Sequence, residues 1–287
     1  MSEPEYTIKK DGVVTTIDMK ADFNKGWEQY FLLSADRHFD NPKADNKMAK
    51  RHLELMKERN GILLDFGDLV DAMQGRQDRR GSKSDVSETN QKSDYFGSLI
   101  DDAVSFFEPY KSNIALIGQG NHESAILKHN EIDLTKMICN RLNDKGANLV
   151  NGGYRGWIKF KFNGQTRKYQ KLAYYSHGFS NGGAVTKGVI STARVAAYVD
   201  SDMVISGHIH EEWELTIPKV KINHAGKETQ YEQVHISLPT YKQEFTGTGS
   251  GFHHEKGRPP KPLGARWLRF YYDPTDGQIK FETTRAK

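Results

Sequence analysis

The stretch Ile117-Gly-Gln-Gly-Asn-His-Glu-Ser124 decides the fold. It follows an apolar run at 113–117 that predicts a strand, and it precedes residues 125–129, which predict the start of a helix. Its two glycines allow a sharp turn where the strand ends. An amide, an imidazole and a carboxylate then stand side by side. Taken alone they also suit an ordinary polar turn, so the interpretation depends on the rest of the chain.

Two acidic clusters come earlier in the chain, each where a predicted strand ends. The strands are predicted at 30–33 and 62–66, and a helix at 44–59 joins them. A βαβ crossover of this kind sets both strand ends at one edge of a parallel pair, which is where α/β sheets bind ligands. The polar residues at these two ends are Asp36 and His38 after the first strand, and Asp68 and Asp71 after the second.

Two further strand ends later in the chain carry histidine. A hairpin is predicted from strands at 154–162 and 169–175, and His177 follows its second strand. A short strand at 203–206 precedes His208 and His210, which are two residues apart and therefore share a face. A lone histidine in such a position is commonly structural, but a pair suits metal binding.

The remaining pattern predicts one domain over residues 1–287. Helices are expected at 95–110, 134–143 and 191–198, with a hairpin at 6–19 and a β region over 211–287 that contains a flexible loop at 246–264. Cys139 is the single cysteine, which excludes an internal disulfide framework. We find neither a secretory signal nor an apolar run near the roughly 20 residues that span a bilayer, and expect a cytoplasmic protein, including the host cytoplasm if it is phage-encoded.

The charge distribution leaves two interpretations open. The formal net charge of +4 suits either a solvated surface or a polyanionic partner. The polar stretch 74–93 is either a surface loop or a basic rim beside the site that grips substrate phosphates. The candidate phosphate-binding residues in it are Arg76, Arg79, Arg80 and Lys83.

The five clusters together resemble the calcineurin-like metallophosphoesterases. That family carries Asp-x-His, Gly-Asp-x-x-Asp, Gly-Asn-His-Glu, a single His and Gly-His-x-His in this order, and all five blocks are present between residues 30 and 210. The resemblance implies an α/β fold, with two β-sheets in a sandwich flanked by helices. It also implies two divalent metal ions at the strand ends, with manganese favoured and iron or zinc compatible.

The resemblance also implies a role for each motif residue. One ion would be held by Asp36, His38 and His210, and the other by Asn121, His177 and His208, with Asp68 bridging. His122 would serve as general acid or stabilise the transition state. Asp71 and Glu123 match motif positions and would support catalysis from behind the ligands. Arg37, between the first two ligands, is either a contact for substrate phosphate or a side chain that points away from the site.

The motifs leave the substrate open. We expect attack of a metal-bridging water on a phosphodiester of nucleic acid, that is, an endonuclease acting on DNA, because Gly67-Asp-Leu-Val-Asp71 resembles the corresponding block of SbcD-type nucleases. Asn121-His-Glu123 instead resembles phosphoprotein phosphatases, so a phosphomonoesterase is the alternative. The overall pattern is similar to phage-type members of the superfamily. A third possibility is a metal-binding scaffold without activity. The oligomeric state stays open.

Overall fold

The computed structural model describes residues 4–24, 26–72, 86–178, 183, 185–223, 225–245, 257 and 259–287. The predicted basic-rim residues Arg76, Arg79, Arg80 and Lys83, and most of the predicted loop 246–264, lie outside them. The described helices are α1 (Asn46–Glu58), α2 (Tyr95–Phe107), α3 (Asn121–Asn130), α4 (Leu134–Asp144) and α5 (Val189–Tyr198). The strands are β1 (Tyr6–Asp11), β2 (Val14–Lys20), β3 (Glu28–Ser34), β4 (Ile62–Asp65), β5 (Ile114–Gly118), β6 (Val150–Gly153), β7 (Arg155–Asn163), β8 (Lys168–Ser176), β9 (Met203–Ser206), β10 (Trp213–Ile222), β11 (Glu228–Ser237), β12 (Arg266–Asp273) and β13 (Gln278–Arg285).

A six-stranded sheet contains the first three motif-bearing strands. Its order is β13-β12-β3-β4-β5-β6, and β3, β4, β5 and β6 run parallel. β4 and β5 are buried along their whole length, as continuous apolar runs in a parallel sheet should be. The predicted βαβ crossover from β3 through α1 to β4 is therefore confirmed.

A seven-stranded sheet contains the remaining motif-bearing strands, in the order β1-β2-β7-β8-β9-β11-β10. β8 and β9 are parallel neighbours, so their carboxyl ends meet at one edge. β7 alternates between buried and partly exposed residues, because one face packs against the other sheet and the opposite face looks outward. The predicted N-terminal hairpin is confirmed as β1 and β2, and β1 is an edge strand.

The core lies between the two sheets. Phe31 of one sheet and Phe160 of the other have ring centroids 4.9 Å apart, and Phe270 contacts both rings. Helices α1, α2 and α4 bury their apolar faces on the outside of the six-stranded sheet, and α5 covers part of the seven-stranded sheet. This is the predicted α/β class: two sheets in a sandwich flanked by helices. Among the described helices, none has both the length and the hydropathy needed to span a membrane.

Three features differ from the sequence predictions. The helix expected to start near residue 125 starts at Asn121, because the Glu123 carboxylate accepts the backbone N–H of Gly120 and caps the first turn. β6 was not predicted, since asparagine and glycine are poor strand formers. Its backbone pairing with β5 holds this segment in the strand conformation. The C-terminal β region is divided: β10 and β11 join the seven-stranded sheet, whereas β12 and β13 join the six-stranded one.

Candidate metal centre

The predicted site residues of all five motifs gather at one edge of the sandwich. They follow the carboxyl ends of β3, β4, β5, β8 and β9, so three motifs come from one sheet and two from the other. Backbone hydrogen bonds join neighbouring motifs within each half. The N–H of Asp36 donates to the carbonyl of Gly67 at 2.9 Å, and the N–H of Gly207 donates to the carbonyl of His177 at 2.9 Å.

The backbone is strained at five of the predicted ligands. Left-handed φ angles occur at Asp36 (52°), His38 (46°), Asp68 (51°), His208 (71°) and His210 (54°). A residue other than glycine costs about 1–2 kcal/mol in this region, because its Cβ approaches the carbonyl oxygen. Strain concentrated in this way is typical of functional sites, where the fold forces side chains to converge.

The first ligand group consists of Asp36, His38 and His210. The Nε2 atom of His210 lies 3.2 Å from Oδ1 of Asp36 and 3.3 Å from Nε2 of His38. Asp36 and His38 are buried, and His210 is partly exposed. These three residues are the predicted set for one ion, and the fold brings them within reach of a single cation.

The second ligand group consists of Asp68, His177 and His208, with Asn121 beside it. The Nε2 atom of His177 lies 3.2 Å from both Oδ2 of Asp68 and Oδ1 of Asn121. Asp68 also forms a group with His38 of the first set and with His122, so its carboxylate adjoins both sets, as a bridging ligand requires. The same His177 nitrogen is 3.9 Å from Oδ1 of Asp36, so the two groups adjoin.

The protonation and hydrogen bonding of these side chains suit a divalent cation. Oδ1 of Asp36 is buried and has no hydrogen-bond partner among the described residues. Nδ1 of His177 lies 3.0 Å from the carbonyl oxygen of Phe66, which directs Nε2 into the site. Burial opposes protonation of His177, but the carboxylates of Asp68 and Asp36 outweigh it and raise its pKa to about 10. A divalent cation would compete for the position of that proton.

His122 stands beside the ligand groups in a fixed orientation. Its Nδ1 atom is 2.6 Å from the carbonyl oxygen of Asp71 and 3.3 Å from Oδ1 of the same residue. Its Nε2 atom is 3.9 Å from Oδ2 of Asp68, and the side chain is 14% exposed. This Nε2 therefore faces the place where a substrate would meet the ligands.

Asp71 is buried behind two histidines. Its Oδ1 lies 2.9 Å from Nδ1 of His38, although the two atoms are not aligned as a hydrogen bond, and its Oδ2 accepts from Nζ of Lys242 at 2.9 Å and from Asn41. Burial alone would raise the pKa of Asp71, but the charges of His38 and Lys242 hold that pKa well below its usual range. Asp71 therefore contacts the candidate ligand His38 and the candidate acid His122 from behind, and does not face the place where a substrate would bind.

Glu123 acts on the backbone of the ligand loop. Its carboxylate accepts the N–H groups of Gly120 at 2.8 Å, Asp68 at 3.2 Å and Val70 at 3.1 Å. Burial and the nearby Asp68 raise the pKa of Glu123 to about 7. A side chain at Gly120 would collide with Asp68, so the approach of these two segments needs glycine there.

Arg37 requires a correction. It was predicted to contact substrate phosphate, but its side chain is 2% exposed and points into the protein. Nε lies 2.7 Å from Oδ2 of Asp65, Nη2 donates to Ser34 Oγ at 2.9 Å, and the guanidinium stacks on the ring of Tyr241 at 4.8 Å. The left-handed φ of Asp36 and His38 turns their side chains toward the site and leaves Arg37 facing the core.

Sequence reasoning missed the residues that hold the site from outside the motifs. Thr240 lies just past β11, and its Oγ1 donates to the carbonyl of Asp36 at 2.8 Å. Asp40 accepts the backbone N–H of Ala72 at 3.0 Å, and Lys242 and Asn41 bind Asp71. Asp40 and Asn41 follow the first motif closely and could have been noted as its continuation. No local signal marks Thr240 or Lys242.

Comparisons with known proteins find distant structural similarity. The chain resembles GAP50, the anchor in the inner membrane complex of Plasmodium, at 10% identity and a TM-score of 0.46, over 91% of this chain and 85% of that one. It resembles a metallophosphoesterase from Sphaerobacter thermophilus at 14% identity and a TM-score of 0.38, over 90% and 88%. It resembles Vacuolar Protein Sorting 29 from Cryptosporidium parvum at 12% identity and a TM-score of 0.34, over 91% and 98%.

No protein-family model matches the chain, and no curated protein sequence matches it. The structural similarities are too distant to assign a family to the chain. All five motifs occur in the family order, and the two-sheet fold gathers their side chains into two adjoining ligand groups with His122 beside them. This arrangement agrees with the resemblance of the motifs to those of the calcineurin-like metallophosphoesterases.

Proposed function

We propose that this protein is a metal-dependent phosphodiesterase that hydrolyses DNA, with two divalent ions, preferably manganese, as cofactors. The observation that carries the proposal is the pair of adjoining ligand groups, which a further group of His38, Asp68 and His122 connects. Asp36, His38 and His210 would hold one ion, and Asn121, His177 and His208 the other. When bound, such ions polarise a phosphoryl group and lower the pKa of water.

The chain's own residues supply orientation and proton transfer. The Nδ1–H of His122 is positioned to donate to the carbonyl of Asp71, which leaves Nε2 directed toward the ligand groups. In the protonated form, that nitrogen can give a proton to the leaving oxygen. The Asp71 carboxylate, 3.3 Å from Nδ1, helps to hold the ring in this orientation.

The distribution of cations supports a diester substrate. Arg37 is committed to Asp65, and Lys242 to Asp71 and Glu244. Within the described part of the chain, no arginine forms an ion pair with a candidate ligand. A terminal phosphate carries nearly two negative charges near neutral pH and commonly binds a guanidinium fork, whereas a diester carries one. Among the described residues, the arginine that adjoins the ligands in sequence is internal, and this favours the diester.

Two sequence features support DNA as the source of that diester. The net charge of +4 grows when divalent cations bind, which favours a polyanion. The basic segment with Arg76, Arg79, Arg80 and Lys83 directly follows the Asp71 motif in the sequence. Arginine-rich segments suit contact with phosphates of a nucleic-acid backbone.

A metal add-back assay tests the proposal. The protein is stripped with a chelator, manganese is restored, and circular single-stranded DNA, linear duplex DNA, bis(p-nitrophenyl) phosphate and p-nitrophenyl phosphate are offered in parallel. We expect manganese-dependent cutting of the circle, hydrolysis of the diester over the monoester, and a steep fall of DNA cleavage with salt. Hydrolysis of the monoester alone would replace the proposal with a phosphomonoesterase. Inactivity on all four would support a scaffold.

A further inference from the structure

The outward face of β7 carries a row of basic residues on either side of a tryptophan. Ile158, Phe160 and Phe162 of this strand are fully buried in the core. Strand alternation therefore turns the intervening side chains outward. The outward positions of β7 are, in order, Arg155, Trp157, Lys159, Lys161 and Asn163.

Strand neighbours extend the row into a basic surface. Lys159 pairs across the sheet with Thr16 on one side and Leu172 on the other, and both neighbours are uncharged. Lys168 lies opposite Asn163 and is exposed. Asp18 is the acidic neighbour in this part of the face, 4.0 Å from Lys161. Among the described residues, Arg155, Lys159 and Lys168 form no ion pair, so positive charge dominates.

The row of basic residues begins at the edge of the sandwich that carries the candidate metal centre. Arg155 pairs with Ser176, the last residue of β8, and the next residue is the candidate ligand His177. The N–H of His177 donates to the carbonyl of Tyr154 at 2.9 Å, and the rings of these two residues lie 5.5 Å apart. The basic surface is therefore continuous with the candidate metal centre, and leads away from it along β7.

Trp157 gives this surface an aromatic element. Its ring centroid is 5.1 Å from that of Tyr174 at an angle of 65°, and Tyr174 packs against α5. The indole is partly exposed, and its contact with Tyr174 holds it in place. A fixed aromatic ring between cationic side chains on an open sheet is the arrangement that proteins use to stack a base and hold the adjoining phosphates of a single strand.

We propose that the outer face of β7 binds single-stranded DNA and guides it to the candidate metal centre. Arg155, Lys159 and Lys161 contact phosphates, and Trp157 stacks on a base. Single-stranded DNA is the occupant, because a paired duplex keeps its bases stacked inside and offers no exposed ring to Trp157. This inference rests on the proposed function for the choice of DNA, but the binding itself needs no hydrolysis.

The test measures binding without turnover. Metal-stripped protein is titrated into a fluorescein-labelled 20-nucleotide single strand, and anisotropy gives Kd over a range of salt. We expect Lys159→Glu/Lys161→Glu to weaken binding at least tenfold. We also expect the slope of log affinity against log salt to become shallower by about 1.4, because each lost phosphate contact on a single strand contributes about 0.7. The control Lys221→Glu/Lys227→Glu makes the same charge change elsewhere on this sheet and should alter Kd less than twofold.

Trp157 is tested separately with Trp157→Phe and Trp157→Leu. The phenyl ring should keep most of the affinity and the leucine should lose about tenfold or more, since only an aromatic ring stacks on a base. Thermal unfolding of both variants identifies any loss caused by misfolding.

Competition with duplex DNA and single-stranded RNA of the same length fixes the ligand class. Equal or better competition by either one would overturn the choice of single-stranded DNA. The proposed binding site on β7 would be overturned if the wild type failed to bind the strand. It would also be overturned if Lys159→Glu/Lys161→Glu bound with wild-type affinity. If the wild type binds through β7 but cuts no phosphodiester after manganese is restored, the binding site on β7 is supported and the proposed function is wrong.

Discussion

The Nζ atom of Lys242 lies 2.9 Å from Oδ2 of Asp71, and both side chains are buried. Asp71 in turn lies against His38, a candidate ligand, and His122, the candidate acid. Lys242, which lies beyond β11, thus neutralises the Asp71 carboxylate, and Asp71 in turn positions both His38 and His122. Burial opposes the charge of Lys242, but Asp71 and Glu244 outweigh it and raise the pKa of that amine above its usual value.

Replacing Lys242 with methionine should destabilise the protein. The substitution leaves the Asp71 carboxylate buried without its cation, and removing one partner of a buried pair costs about 3–5 kcal/mol of unfolding free energy. Urea unfolding of the metal-stripped protein measures the loss. Lys20→Met is the matched control, because Lys20 lies 3.5 Å from Glu5 and both side chains are exposed, so this pair contributes below about 1 kcal/mol. Equal losses for the two variants would contradict the role assigned to Lys242.

Replacing His122 with alanine should nearly abolish turnover while the metal stays bound. General acid catalysis contributes about 10²–10⁴-fold to rate, and His122 belongs to neither of the two predicted ligand sets. The measurements are kcat on bis(p-nitrophenyl) phosphate and metal content by elemental analysis. His129→Ala, on the exposed side of α3, is the control and should leave both quantities unchanged. Loss of metal from the His122 variant would instead make His122 a ligand.

Replacing Arg37 with methionine should lower stability rather than substrate affinity. The guanidinium and the Asp65 carboxylate are 2.7 Å apart, at 2% and 0% exposure. Stranding Asp65 should cost about 3–5 kcal/mol, and the double variant Arg37→Met/Asp65→Asn should recover part of that loss. Arg141→Met, which breaks an exposed pair with Asp101, should cost below about 1 kcal/mol. A raised KM with unchanged stability would restore Arg37 as a substrate contact.

Replacing His52 with asparagine should flatten the acid side of the stability profile. Burial, together with the nearby Arg37, lowers the pKa of His52 to about 4. The unfolded chain takes up this proton near pH 6.5, so His52 makes the protein lose stability as the pH falls from about 6.5 to about 4, by up to about 3 kcal/mol.

Urea unfolding at pH 7 and pH 4.5 measures this effect. The free-energy difference between wild type and the His52 variant should narrow or reverse at the lower pH. Nδ1 of His52 lies 2.9 Å from the hydroxyl of Tyr241, a contact that an asparagine side chain is able to replace. His129→Asn, at an exposed position, supplies the baseline. Parallel profiles for His52→Asn and wild type would show that His52 does not titrate in this range.

The sequence by itself determined where the strands end and which chemistry stands there. Strand, turn and helix-start signals are local, because periodicity and glycine placement act on neighbouring residues. The β3-α1-β4 crossover and the strands before each motif follow from these signals, whereas the two-sheet fold class was implied by the family resemblance. The motif order, itself a property of the sequence, carries the resemblance to the calcineurin-like metallophosphoesterases. The ligand residues that this resemblance implies converge in the structure.

Only the tertiary structure decided which side chains face the candidate metal centre and which ones support it from behind. Arg37 adjoins two candidate ligands in sequence yet points into the core, because left-handed turns on either side rotate the side chains apart. Lys242 and Asp71 are 171 residues apart in the chain, so no local pattern links them. β6 takes its form from pairing with β5, and the C-terminal strands divide between two sheets. Each depends on contacts made across the fold, which override the weak preferences of the residues involved.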